Sequence, residues 1–249
     1  MSVIVPVWRE GASIASAVGM VLAEPGAECV VVDGEPGQTT LAVLRETYPQ
    51  GHPRLALLAS PPGRGAQMNA GAAHARGRML LFLHADTRLP GGWADALRSV
   101  LGAGFARCGA FSLLFDTVEG EGSAGTLSRW TDRAFGAVYG RWATLRSRLD
   151  RRPYGDQAQF FDAAFFRELG GYPDQPLMED VELMTRAARA GFPACILPLA
   201  VVTSPRRYRS QGWLRRGLGN LRLRAAYALG ADPRRLARQY HGQRNDPER

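Results

Sequence analysis

The sequence predicts an α/β fold: one domain on a mostly parallel central sheet flanked by helices, followed by a mostly helical C-terminal tail. Three observations carry that expectation. Short runs rich in Val, Ile and Leu recur through the first 105 residues, each followed by a segment with helical periodicity. Several runs stop on Asp or His and then turn. No internal repeat and no Ser/Pro/Gly tract divides the chain. Strands alternating with helices imply βαβ units, right-handed crossovers and parallel pairing.

Taken in order, Ser2 to Val7 reads as a strand, and Ile14, Val18, Val21 and Leu22 mark one face of a helix. Glu28 to Val32 is a second strand closing on Asp33-Gly34, and "TTLAVLRETY" a second helix. Leu55 to Leu58 is a third strand, followed by the small-residue helix "GAQMNAGAAHA", whose Gly71, Ala72 and Ala73 suit close packing. Met79 to Leu83 is a fourth strand, and Trp93 to Val100 a helix. Parallel strands joined this way end on one edge, so Pro6, Asp33, Ser60 and His84–Asp86 are expected around one crevice, where open α/β sheets bind ligands.

Beyond residue 105 the pattern loosens. "RCGAFSLLFD" reads as a strand, and residues 124–147 as a long helix with Leu127, Trp130, Ala134, Val138, Trp142 and Leu145 on one face. A core-packing helix is the plain expectation for that face; membrane contact or a homodimer seam are the alternatives. "PYGDQAQFFD", a helix around Phe165 to Leu169, the partly helical "PLMEDVELMTRAARAGF" and the strand "ACILPLAVVTS" follow. The expected division is 1–202 as one domain, with a nucleotide-binding half (1–105) and an acceptor half (106–202), and 203–249 as a basic extension.

Composition excludes some chemistry. All 31 basic residues are arginine, which rules out Schiff-base lysine catalysis and a lysine phosphate loop. Residues 203–249 carry 12 arginines against 3 acids, whereas the first 202 residues carry 19 against 20. The net charge of +8 is therefore a property of the tail, and a basic tail suits phosphates, anionic lipid heads or nucleic acid. Cys29, Cys108 and Cys195 lie scattered in apolar runs, with neither zinc nor disulfide spacing. Buried thiols, no evident signal peptide and no run of ~20 apolar residues lead us to expect a cytoplasmic protein, able to sit peripherally at the membrane's inner face.

"FLHADTRLP" ends a buried strand on His84-Ala85-Asp86. Such a pair either caps the strand and its turn or serves a ligand. Asp86 suits a hard divalent cation, which prefers carboxylate oxygens and keeps several waters. Neutral imidazole is a poorer Mg²⁺ ligand, so His84 is assigned to hydrogen bonding with ribose or phosphate. "PPGRGAQMNAG" offers glycines for close backbone approach and then a helix N-terminus, which favours phosphate. Glu179-Asp180 opens a helix. Charge complementarity with the helix dipole explains Glu182 well, and explains the preceding rigid "YPDQPLM" turn less well.

"SVIVPVWRE", "VVDG", "GRGAQMNAG", "FLHADT" and "MEDVEL", in this order, resemble the family 2 glycosyltransferases of the GT-A fold over about residues 2–200. More narrowly, "FLHADTRLP", "PYGDQ", "PLMEDVEL" and "SPRRY" resemble a bacterial branch labelled arsenosugar- or selenium-neighbourhood-associated glycosyltransferase. The resemblance implies transfer of a sugar, with inversion, from a nucleotide-diphosphate sugar, usually with Mg²⁺ or Mn²⁺ and with a UDP-sugar as donor. It implies Asp86 as the last acid of a DxD motif, and the first acid is His84 in this chain. Pro6, Val7, Glu10 and Asp33 would line the base and ribose pocket, with Arg64, Asn69 and Ala85 on the donor. Asp180 would be the general base with Glu179 beside it, and Asp156 and Gln157 would face the acceptor. "SPRRY" matches a QxxRW spacing, so Arg206 and Arg207 would close over the diphosphate.

Each assignment has a plainer counterpart: Asp-Gly is a routine turn, Arg64 suits a solvated loop, and "YGDQ" suits a simple turn. Two other functions compete. A sugar-phosphate nucleotidyltransferase shares the sheet and metal logic, but "PVWREGAS" has only part of its glycine-rich loop. An anionic-surface binder acting through the tail leaves the strand-end acids without a task. No recognised nucleic-acid module is present, so no nucleic-acid partner is expected.

Overall fold

The structure, a computed structural model, describes residues 1–116 and 126–242; at 126–132, 207, 211, 241 and 242 it describes the backbone alone. The expected helix start at 124 and the side chains of Leu127, Trp130 and Arg207 lie outside the described residues.

Strands β1 (Ser2–Val7), β2 (Glu28–Asp33), β3 (Leu55–Ala59) and β4 (Met79–Phe82) lie in the order β3-β2-β1-β4, all parallel. Helices α1 (Ile14–Leu22), α2 (Thr39–Thr47) and α3 (Arg64–His74) make the crossovers. Alternation splits the core between the sheet's faces: Val3, Val5 and Val7 pack with α1 and α2, and Ile4, Val30 and Val32 with Met68 of α3. Gly71 permits the second contact, because a Cβ there would meet Ile4 Cγ2 at 2.4 Å.

The sheet then departs from the parallel pattern. β7 (Phe160–Asp162) pairs antiparallel with both β4 and β6 (Cys108–Phe115). β8 (Cys195–Thr203) runs parallel to β6, and the two-residue β5 (Thr87–Arg88) closes the edge antiparallel to β8. The complete order is β3-β2-β1-β4-β7-β6-β8-β5. Pairing of β6 with β8 slips between Phe111 and Ser112, whose partners are Leu197 and Ala200, so Pro198 falls in the irregularity. A residue without an N–H fits such a break in the ladder.

Helix α4 (Trp93–Leu97) closes the first half, the second half adds α5 (Thr126–Asp150), α6 (Ala163–Glu168) and α7 (Glu179–Arg189), and the tail adds α8 (Arg206–Gln211), α9 (Trp213–Ala228) and α10 (Pro233–Gly242). The tail packs onto the domain. Tyr208 and Trp213 join Phe115 with ring centroids 5.0 and 5.3 Å away, and Leu223 and Leu236 pack against Met178 and Val181 at the start of α7. Arg224 reaches Asp150 at 2.6 Å, and the Tyr227 hydroxyl donates to Glu182 at 2.8 Å.

Helix α5 corrects an expectation. Its buried side is made of Gly136, Gly140, Ala143 and Ser147, whereas Val138, Trp142 and Leu145, expected to pack inward, are exposed. Small residues let the helix lie close to β6, where a Cβ on Gly140 would meet the Leu113 carbonyl oxygen at 2.8 Å.

Candidate active site

The C-terminal ends of β1, β2 and β4, the start of α3, the turn at 155–157 and the start of α7 meet at one edge of the sheet. Gly63, at φ 132°, turns the chain from β3 into α3 and sets Arg64 on its first turn. Met178, left-handed at φ 63°, does the same before α7, leaving Glu179 and Asp180 as its first two residues.

These pieces converge on Gly155. Its N–H donates to Asp180 Oδ2 at 2.6 Å. A Cβ on Gly155 would lie 2.9 Å from Arg64 Nη2 and 3.4 Å from both Asp180 Oδ2 and His84 Nε2. Arg64 Nη2 stands 2.5 Å from His84 Nε2. A guanidinium only donates, so this imidazole nitrogen accepts, and His84 must release Arg64 before that nitrogen could ligate a cation. Arg64 Nε also pairs with Glu179 Oε1 at 3.5 Å.

Asp180 is fixed at both oxygens, since Oδ1 accepts the N–H of Val181 at 2.8 Å. Behind it, Gln159 Nε2 donates to the Asp180 carbonyl at 3.3 Å and to the Pro153 carbonyl at 3.0 Å, and Gln159 Oε1 accepts from the Tyr172 hydroxyl at 2.9 Å. Burial raises the Glu179 carboxyl from its ordinary value, with Arg64 opposing and Asp180 adding. Asp156 is half-buried, its Oδ1 is enclosed without a hydrogen-bond partner, and its carboxyl is pushed up to about 6. Desolvation is the main cause, followed by the negative charge of Asp180; Arg146 and Arg64 oppose, and Asp86 adds. Asp86, Asp156 and Asp180 therefore share one electrostatic neighbourhood.

On the nucleotide side, Asp33 ends β2 wholly buried. Its Oδ1 accepts from the Glu35 N–H at 2.9 Å, Oδ2 has no partner, and burial raises the carboxyl. Gln67 Nε2 ties the ends of β1 and β2 together, donating to the carbonyls of Val7 at 2.8 Å and Val32 at 2.9 Å. Pro6 is half-buried at the end of β1, and Ala85 is buried behind His84. The Ser60 N–H reaches the Asp33 carbonyl at 3.0 Å, so the four expected strand ends share the edge. From the tail, Arg206 Nη2 reaches Glu10 Oε1 at 3.7 Å, and the Arg206 N–H donates to Ser204 Oγ at 3.3 Å.

Two expected contact residues sit in the scaffold. Asn69 clamps α3 to the loop before α7, giving an N–H to the Tyr172 carbonyl at 2.8 Å and accepting the Tyr172 N–H at 2.9 Å. Gln157 is fully buried; its amide donates to the Phe111 carbonyl at 3.0 Å and accepts from Ser147 at 2.6 Å. Sequence reading missed Gly155, Gln67, Gln159 and Tyr172. Polar residues beside known motifs were visible, but nothing in their spacing announced these long-range bonds.

The donor set suits a small divalent ion. Among the described residues no three His, Cys, Asp or Glu side chains form a metal cage. Asp86, whose Oδ1 takes a long 3.5 Å bond from the Thr87 hydroxyl, and the unpartnered Asp156 Oδ1 are hard oxygen donors. Mg²⁺ and Mn²⁺ are commonly held by one or two carboxylates completed by waters and substrate phosphates.

Comparison with known protein families falls on the nucleotide side of this site, and comparison with solved structures covers most of the chain. Residues 2–109 match glycosyl transferase family 2. The matched segment contains β1 to β4, Asp33, Arg64, His84 and Asp86. The fold is that of GT-A glycosyltransferases. A mannosyltransferase, PcManGT from Pyrobaculum calidifontis in complex with GDP-Man and Mn²⁺, superposes with a TM-score of 0.62 at 20% identity, covering 97% of this chain and 69% of that one. S. aureus TarS 1–349 gives 0.57 at 16% identity over 82% of this chain and 60% of that one. Its complex with UDP-GlcNAc gives 0.55 over 82% and 58%. This chain thus spans about three-fifths of the TarS fragment. No curated protein sequence matches the chain. Among the described residues no helix is long and apolar enough to cross a membrane.

Proposed function

We propose that the chain transfers a sugar, with inversion, from a nucleoside-diphosphate sugar to an acceptor hydroxyl, assisted by Mg²⁺ or Mn²⁺, with Asp180 as general base. The observation that carries the reading is the meeting of Arg64, His84 and Asp180 around the side-chain-free Gly155. A base, a cationic guanidinium and a strand-end imidazole from three distant parts of the chain share one small space there. The likeness to proteins complexed with GDP-Man and UDP-GlcNAc supports a nucleotide-sugar donor; UDP rests on the motif resemblance. The motifs "PYGDQ" and "SPRRY" also favour the arsenosugar-labelled branch, a label that names no acceptor.

In this mechanism Asp33 receives donors from the base or ribose, and Glu10 with Arg206 borders that pocket. Asp86 would hold the cation, which when bound offsets charge on the departing diphosphate. Arg64 supplies fixed positive charge beside it. Asp180 takes the acceptor's proton as the acceptor oxygen bonds to the anomeric carbon and the sugar–phosphate bond breaks. Glu179 steadies Arg64, and Asp156 offers its unpartnered oxygen to the acceptor. A second reading makes Asp156 the base, favoured by that free oxygen and its raised ionisation.

Two measurements test this. In a thermal-shift panel of UDP- and GDP-sugars, the true donor raises the melting point more with Mn²⁺ than without it. Asp180→Asn should cut turnover by at least about a thousandfold while leaving that shift intact; turnover retained in Asp180→Asn and lost in Asp156→Asn moves the base to Asp156. Pyrophosphate release from an NTP and a sugar phosphate would instead identify a nucleotidyltransferase.

A further inference from the structure

We infer that the paired outer faces of α5 and α9 form a docking surface for an anionic phospholipid bilayer. The inference is independent of the transfer chemistry, because none of its residues belongs to the site above.

The usual arrangement of an amphipathic helix is inverted in α5. Glycine, alanine and serine face the sheet, and Phe135, Val138, Trp142, Leu145 and Leu149 face out, Val138 and Leu149 being 67% and 77% exposed. At about 100° per residue those five side chains fall within an arc of about 80°. On α9, Leu214, Leu218 and Leu221 do the same within about 60°, Leu214 and Leu218 being 68% and 57% exposed.

The two arcs adjoin. Tyr139 of α5 packs where a Cβ on Gly217 of α9 would come within 2.9 Å of its ring, and farther toward both C-termini Arg224 grips Asp150, the last residue of α5, at 2.6 Å. The helices therefore run side by side in the same sense, with both apolar arcs bordering the seam. Exposed arginines frame them: Arg141 on the far side of the α5 arc, where Arg148 instead turns back to Ser112 Oγ at 3.5 Å, and Arg215 and Arg222 on the far side of the α9 arc. Arg215 and Arg222 also line a pocket of about 490 Å³ with Leu218, Leu223, Ala226 and Gln239. Opposing acids are scarce. Helix α9 has none, and the one acid of α5 between residues 133 and 150, Asp150, is bonded to Arg146 and Arg224.

This pattern selects its occupant. An apolar centre seats among acyl chains at the headgroup boundary, while long arginine stems keep their guanidiniums at the phosphates. Anionic lipids add an attraction of order 1 kcal/mol for each arginine near the surface. A second copy of the chain fits poorly, since two-fold pairing of this face sets arginine margins near each other. Nucleic acid would leave the apolar centre uncovered.

The test is sedimentation of the full chain with vesicles of phosphatidylcholine alone or with about one-third phosphatidylglycerol. Binding is expected to the anionic vesicles and at least about tenfold weaker to neutral ones. The double variant Leu145→Glu/Leu218→Glu and the double variant Arg215→Glu/Arg222→Glu should each lose about tenfold or more while keeping the parent's melting point and donor-induced shift. Failure to bind anionic vesicles overturns the inference, as does undiminished binding by both variants. A dimer in light scattering that Leu145→Glu/Leu218→Glu disperses would assign the face to a second copy and also overturn it. Because the donor-induced shift is read separately, failure of docking and failure of the transferase reading give different results.

Discussion

Asp156 holds its proton to about pH 6 against an ordinary 3.8, and that difference makes folding pH-dependent in a definite direction. Between about pH 4 and 6 the unfolded chain ionises this carboxyl while the folded protein keeps it protonated, so stability falls as pH rises and stays lower above 6. Asp156→Asn removes the effect. After allowance for solvent screening, the variant should gain on the order of 1–2 kcal/mol over the parent at pH 7, with the gain vanishing near pH 4. Denaturant melts at several pH values read this directly, and parallel profiles for the two proteins would show that the carboxyl ionises normally. "YGDQ" suggested an acceptor-side role for Asp156 but not its raised ionisation, because burial produces most of it and the charges of Asp180 and Asp86, 24 and 70 residues away in the chain, add to it.

At the scale of elements, legibility followed burial on both faces. β1, β2 and β4 read clearly because a parallel strand covered by helices is apolar at almost every position. β5 and β7, with two and three residues, are too short to carry a period and exist because β8 and β4 offer edges to pair with. The period of α5 was equally visible, but a period does not say which face turns inward. The small face won because β6 approaches so closely, and Leu113 even gives its N–H to Thr144 at 3.0 Å. Gly140→Ala tests this. Alanine favours a helix by about 1 kcal/mol over glycine, yet a Cβ 2.8 Å from a backbone carbonyl forces the helix off the sheet. Overpacking costs about 1–3 kcal/mol, so a net loss of about 1 kcal/mol and a melting point lower by about 2–4 °C are expected. A rise in melting point would mean that α5 yields freely.

The whole molecule ties the basic tail to the edge that carries the candidate site, and this changes what deleting the tail can reveal. The charge asymmetry marked residues 203–249 as an extension, because arginine density is plain in a sequence and long-range packing is not. In the folded chain Tyr208 and Trp213 complete the cluster around Phe115, and Leu223 and Leu236 press on Met178 and Val181, which flank Glu179 and Asp180. Burial of a large apolar side chain is worth about 1.5–3 kcal/mol, so losing these four exposes a stake comparable to the ~5–15 kcal/mol by which a domain is stable. Removing residues 205–249 should therefore abolish cooperative thermal unfolding, and with it activity, whether or not any tail arginine touches the donor. A truncated chain that still melts sharply would show that the tail is dispensable to the core. The arginine's own part needs a change that spares the packing. Arg206 is exposed and its guanidinium lies 3.7 Å from Glu10, so Arg206→Ala should leave the melting point of the free protein within about 2 °C. If Arg206 closes over the diphosphate, the cation-dependent shift given by the donor shrinks in the same variant; an undiminished shift confines Arg206 to the rim.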